Sequence, residues 1–164
     1  MQITRATDYA VRVTIHLATV PALTMVPAPV LAHAIDAPRS FVSKVLQQLV
    51  QAGLVTSQRG TRGGFQLARS AADMSLLDVV EAIEGPTKIN LCLPQGPDCN
   101  QKDWCAAHPV WAEAQAALVR VLGKASIEQL ARNSISNKAK LHHVLPAGRL
   151  RRASQKRGGA ATRR

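Results

Sequence analysis

The chain has 164 residues, a formal net charge of +11, three cysteines and only 3% aromatic residues. Its length buries one ordinary core with an appendage and excludes two large domains. No apolar run reaches the roughly 18 to 20 residues of a bilayer span, and the N-terminus opens on an amphipathic pattern rather than a secretion signal, so the expected setting is cytoplasmic with no membrane partner.

The charge is unevenly spread. Residues 1–72 hold seven Lys/Arg against two acids, residues 73–137 five against eight, and residues 138–164 nine against none. A basic N-terminal part and a basic tail flanking an acidic middle predict that a polyanion, double-stranded DNA above all, meets the N-terminal part.

In chain order, Ala6, Tyr9, Ala10, Val13 and Leu17 recur at helical spacing and predict an amphipathic helix over 4–19. Asp8 lies on its other face with Arg5 and Arg12, where local sequence reads it as a surface carboxylate paired with those arginines. The Pro27-Ala-Pro29 cluster breaks the pattern, and a short second helix over 30–35 is stopped by Asp36-Ala-Pro38.

A third helix follows over 39–53, with Val42, Val45, Leu46 and Leu49 on one stripe and Gly53 at its C-terminal left-handed position. Its opposite face offers Ser40, Ser43, Lys44 and Gln47. Two helices joined by a short turn, the second presenting small polar and cationic groups, describe a helix-turn-helix whose second member enters a major groove. Two β-favouring stretches, 54–58 and 65–68, flank the sequence Arg-Gly-Thr-Arg-Gly-Gly at 59–64. That predicts a hairpin wing whose Arg59 and Arg62 meet the phosphate backbone or a narrow minor groove; a solvated hairpin is the plainer alternative. The fold class expected is mainly α with a small β-hairpin: a winged helix-turn-helix domain plus a long dimerisation helix.

Ser75-Leu-Leu-Asp78 resembles a capping box and opens a helix that ends at Gly85-Pro86. From Pro109 a longer helix over 109–122 carries Val110, Trp111, Ala114, Leu118, Val121 and Leu122 on one face. So long a stripe, with little else in the chain to cover it, predicts packing on the same helix of a second subunit, a homodimer. A last short helix is expected over 127–131. The organisation predicted is a DNA-binding domain over 1–72, a cysteine loop with dimerisation helices over 73–137, and a basic, disordered tail over 138–164.

All three cysteines lie between the last two long helices, spaced Cys92-x6-Cys99-x5-Cys105-x2-His108 in a stretch rich in Gly, Pro, Asn and Asp. Three thiols cannot pair off within one chain, and a reducing compartment does not keep structural disulfides, so thiolate ligands or redox-active thiols are expected. Structural zinc sites commonly use a tight cysteine pair, which is absent; wide spacing better suits an iron-sulfur cluster, with zinc second and a cluster-free thiol sensor third. A catalytic role is not expected, because Cys105 and His108 lack an orienting group or oxyanion site.

The opening Met-Gln-Ile-Thr-Arg-Ala-Thr-Asp-Tyr-Ala-Val-Arg, the wing Arg-Gly-Thr-Arg-Gly-Gly-Phe at 59–65, and three cysteines before a long helix together resemble the IscR/NsrR/RirA group of winged-helix regulators, the Rrf-two family. The resemblance spans about residues 1–135. It implies a homodimer on a palindromic operator, and an iron-sulfur cluster held by Cys92, Cys99 and Cys105. Two residues match the varying fourth ligand: Asp8, reaching from the partner subunit as in NsrR-like members, and His108, as in IscR-like members. The Asp pattern implies a [4Fe-4S] cluster and nitric oxide or redox sensing by a repressor. The His pattern implies a [2Fe-2S] cluster and iron or iron-sulfur homeostasis. The Thr7-Asp8-Tyr9 context is similar to the NsrR side, which favours [4Fe-4S], while the six-residue gap between Cys92 and Cys99 is longer by one than in those prototypes.

Overall fold

The computed structural model describes residues 3–90, 92–93 and 99–144, with side chains up to residue 140. Helix α1 (Arg5–Thr19) begins where Thr4 Oγ1 accepts the Thr7 N–H. Helices α2 (Ala28–Ala34) and α3 (Arg39–Gln51) follow, then strands β1 (Val55–Gln58) and β2 (Gly64–Leu67), and helices α4 (Leu76–Glu84), α5 (His108–Lys124) and α6 (Ile127–Val144). Among the described residues no helix is long and apolar enough to cross a membrane.

The predicted stripes of α1 and α3 enter the core. Ala10, Val13 and Leu17 of α1 cluster with Leu31 of α2, Val42, Val45, Leu46 and Leu49 of α3, and Val79 of α4, closed by Met74 and Ile127. This cluster fixes the angle between α2 and α3 and so sets how the exposed face of α3 is presented. The turn between them is tightened by Asp36, whose left-handed φ of 52° does the work usually given to glycine, and by Ala37, whose N–H donates to Ala32 O at 3.0 Å. Gly53 holds φ 70° just beyond α3, as its position predicts.

The hairpin is antiparallel, with Val55 opposite Leu67 and Gln58 opposite Gly64. On its other edge β2 pairs with a single residue of the α1–α2 connection: Val26 and Phe65 exchange two backbone hydrogen bonds of 3.0 Å. The wing is therefore anchored on both sides of β2.

At the start of α4 the capping box is present. Ser75 Oγ accepts the Asp78 N–H at 3.1 Å, and Asp78 Oδ2 accepts the Ser75 N–H at 2.8 Å. Ser75→Ala is expected to lower stability by about 1 kcal/mol, measured by urea denaturation, because one end of this reciprocal pair is lost.

Helices α1, α3 and α5 end within one or two residues of the predicted bounds, whereas α2 and α6 depart from theirs for identifiable reasons. Helix α2 starts inside the proline cluster, since Pro27 precedes the helix and Pro29 sits in its first turn, where a missing N–H breaks no helical bond. Helix α6 runs 18 residues, not the five of 127–131. The apolar stripe that defined the shorter helix fades, yet no Gly or Pro interrupts the chain before Pro146. The basic tail expected from 138 thus begins within α6, and its residues 145–164 lie outside the described residues. Met1–Ala131 make up one compact unit.

Candidate nucleic-acid interface and cysteine loop

Ser40, Ser43, Lys44 and Gln47 are all exposed on one face of α3, opposite the buried stripe. Arg59 and Arg62 are exposed at the hairpin tip, where Gly60 takes φ 114° and the Gly63 N–H donates to Gly60 O at 2.9 Å. Helix face and wing tip thus present cationic and hydrogen-bonding groups outward from rigid supports. Phe41, at the start of α3, meets Tyr9 of α1 edge to face with ring centroids 6.2 Å apart.

Asp8 lies in the first turn of α1 and is bound twice by Arg12, at 2.8 Å to Nη2 and 3.1 Å to Nε. This is the local pairing predicted from the i, i+4 spacing. The three cysteines are free thiols, each half-buried. His108 opens α5, its N–H donating to Cys105 O at 3.1 Å, while its Nδ1 is buried without a hydrogen-bond partner among the described residues. Residues 94–98, between Cys92 and Cys99, lie outside the described residues. Among the described residues no three His, Cys, Asp or Glu side chains come together as a metal site. The predicted ligands are placed on one loop, at the start of α5 and on α1, without being gathered by the single chain. As a donor set, three thiolates with one imidazole or carboxylate suit an iron-sulfur cluster, and the orphaned His108 Nδ1 is a free donor atom of the right kind.

Two groups escaped the sequence reading. Glu84, the last residue of α4, accepts the Thr4 N–H at 3.0 Å, the Thr4 hydroxyl at 2.7 Å and the Thr7 hydroxyl. The Thr7 and Thr4 hydroxyls hold its carboxyl below the ordinary value. Gln115 of α5 donates to Thr87 O and accepts the Ile89 N–H at 3.0 Å, bracing the segment that enters the cysteine loop. Both contacts join residues far apart in the chain, where no local pattern signals them.

Helix α5 has no buried residue. Leu118 and Leu122 are half-buried, but Val110 is 62%, Trp111 42% and Val121 63% exposed. A large part of the predicted stripe therefore finds no cover among the described residues.

The model of the Rrf2 family, described as an iron-dependent transcriptional regulator, matches residues 3–133. Protein aau3 of Rhizobium meliloti (strain 1021) is 34% identical over 131 residues, 79% of this chain and 84% of that protein. The HTH-type transcriptional regulator IscR of Xenorhabdus nematophila is 30% identical over 95 residues, 57% of each chain. In fold the chain is similar to CymR (YrzC), the global cysteine regulator of B. subtilis, with a TM-score of 0.68 and 22% identity over 81% of this chain and 98% of that one. From the match over its helix-turn-helix, wing and α5, the chain belongs to the Rrf2 (Rrf-two) family, winged-helix transcriptional regulators rather than enzymes.

Proposed function

We propose that the chain is a homodimeric, iron-sulfur-dependent repressor of transcription in the cytoplasm, responding to nitric oxide or redox state. The observation that carries this reading is three free thiols, none used in a disulfide, on the same chain as an exposed recognition face and a basic wing. Ser40, Ser43, Lys44 and Gln47 meet base edges and phosphates in the major groove, while Arg59 and Arg62 follow the backbone beside it. Cys92, Cys99 and Cys105 hold a [4Fe-4S] cluster, and Asp8 of the partner subunit completes it. A bound cluster supplies the group that reacts with nitric oxide or oxidants. In this arrangement residues 1–72 serve DNA binding and 73–137 serve sensing and dimerisation.

The orphaned His108 Nδ1 supports a second reading, in which His108 is the fourth ligand of a [2Fe-2S] cluster and the regulator serves iron or iron-sulfur homeostasis. A zinc-stabilised or thiol-based regulator without a cluster is a third outcome of the same experiment. Anaerobic purification with iron, sulfide and zinc analysis and Mössbauer spectra is expected to give a [4Fe-4S] signature in wild type. Cys99→Ser should lose the bound iron, Asp8→Ala should hold a labile cluster, and His108→Ala should match wild type. Iron retention that depends on His108 and not on Asp8 would select the second reading. Zinc without iron or sulfide would sink both cluster readings.

A further inference from the structure

Glu84 ties two distant parts of the fold together through a single oxygen. Its Oε1 takes the Thr4 N–H, the Thr4 hydroxyl and the Thr7 hydroxyl, from residues 77 to 80 positions away. Thr7 is buried, so one of the three bonds reaches beneath the first turn of α1, while the two to Thr4 lie at the surface. Asp8 and Tyr9 come next in that turn, and Tyr9 touches Phe41 at the start of α3.

On its other side α4 is linked to the approach to the cysteines. Glu81, one turn before Glu84, accepts the Thr87 N–H at 2.9 Å, and Gln115 of α5 holds Thr87 O and the Ile89 N–H. Side-chain bonds thus run from the segment before Cys92, through the end of α4, to the first turn of α1, and ring contact carries on to the recognition helix. A carboxylate with three donors is a charge-assisted junction, stronger than a neutral hydrogen bond of the same geometry.

We propose that Glu84 is a positioning residue: it locks the first turn of α1, and Asp8 and Tyr9 with it, to the end of α4 from which the cysteine loop departs, so that the state of that loop biases the recognition helix. The coupling half of this proposal rests on the cysteine-loop reading given above; the clamp itself does not. Glu84 is exposed, so truncating it opens no core cavity.

The test compares full-length wild type, Glu84→Gln and Glu84→Ala. In metal-free protein, amide hydrogen exchange over residues 4–9 is expected to quicken about tenfold in Glu84→Ala, the equivalent of one charge-assisted hydrogen bond. Glu84→Gln keeps an accepting oxygen and should fall between. Operator Kd is then measured for anaerobically iron-loaded and metal-free forms of each. The ratio of the two Kd values should shrink by roughly fivefold or more in Glu84→Ala. Unchanged exchange would overturn the clamp. Quickened exchange with an unchanged Kd ratio would overturn the coupling, because a merely structural residue shifts both Kd values together. If wild type takes up no iron, the cluster reading and the coupling built on it fall, while the exchange result still decides the clamp.

Discussion

Gly64→Ala is expected to loosen the wing, lower stability by on the order of 3 kcal/mol and weaken operator binding far more than any loss of one wing arginine. A Cβ on Gly64 would lie 2.7 Å from Val26 C, 2.8 Å from its O and 2.9 Å from its N. All three are backbone atoms of the residue that exchanges two hydrogen bonds with Phe65. No side chain can swing aside, so either β2 or the α1–α2 connection must shift. Overpacking of this kind costs about 1–3 kcal/mol, and each strained or broken backbone bond adds about 1. Gly53→Ala is the matched control. It has nothing within 4 Å of the added methyl and suffers only its φ of 70°, so its cost is about 1 kcal/mol. Chemical denaturation of both variants, with operator titration, checks the prediction. Equal losses from the two would mean that backbone conformation alone, not the anchoring of β2 against Val26, governs the wing.

That anchoring marks the limit of what the sequence makes legible. Helices α1, α3 and α4 were predictable because their signals are local: apolar residues at helical spacing, Ser75 and Asp78 three apart, a glycine just past α3. The hairpin was equally local, two β-favouring runs around a glycine-rich turn. The Val26–Phe65 pairing was not, since nothing in a connection containing Pro21 and Pro27 announces a strand partner. Nor was Asp36 in the left-handed region, where a carboxylate residue substitutes for the glycine a reader would look for. Helix α6 outran its apolar stripe along a stretch that periodicity does not mark and that no Gly or Pro stops, although Asn133, Ser134, Ser136 and Asn137 are weak helix formers.

The candidate site divides along the same line. Exposure of Ser40, Ser43, Lys44, Gln47, Arg59 and Arg62 follows from which face of a helix or which end of a hairpin they occupy. Three cysteines and a histidine can be recognised by type, but spacing does not specify how they are placed in space, and among the described residues they are not gathered into a site. Glu84 and Gln115 act across 26 to 80 residues of sequence and became visible only in three dimensions.

The exposed face of α5 leads to the second large effect. Val110→Glu with Val121→Glu in one chain is expected to dissociate the protein to monomers and raise its dissociation constant by at least about a thousandfold. These valines are among the most exposed large apolar residues described, eleven positions apart on one face, with Ala114 and Ala117 between them. On an isolated chain both substitutions place a carboxylate in solvent, where surface changes alter stability by about 0.5 kcal/mol or less. At a two-fold interface formed by α5, four carboxylates would be desolvated or set against one another, and an uncompensated buried charge costs about 3–5 kcal/mol. The two environments therefore predict outcomes several kcal/mol apart from the same pair of substitutions. Sedimentation velocity over a dilution series reads the mass directly, and operator titration reads the consequence, since a monomer engages only one half-site of a palindrome. A double variant with the mass and operator affinity of wild type would place the α5 face in solvent and remove the case for dimerisation through it.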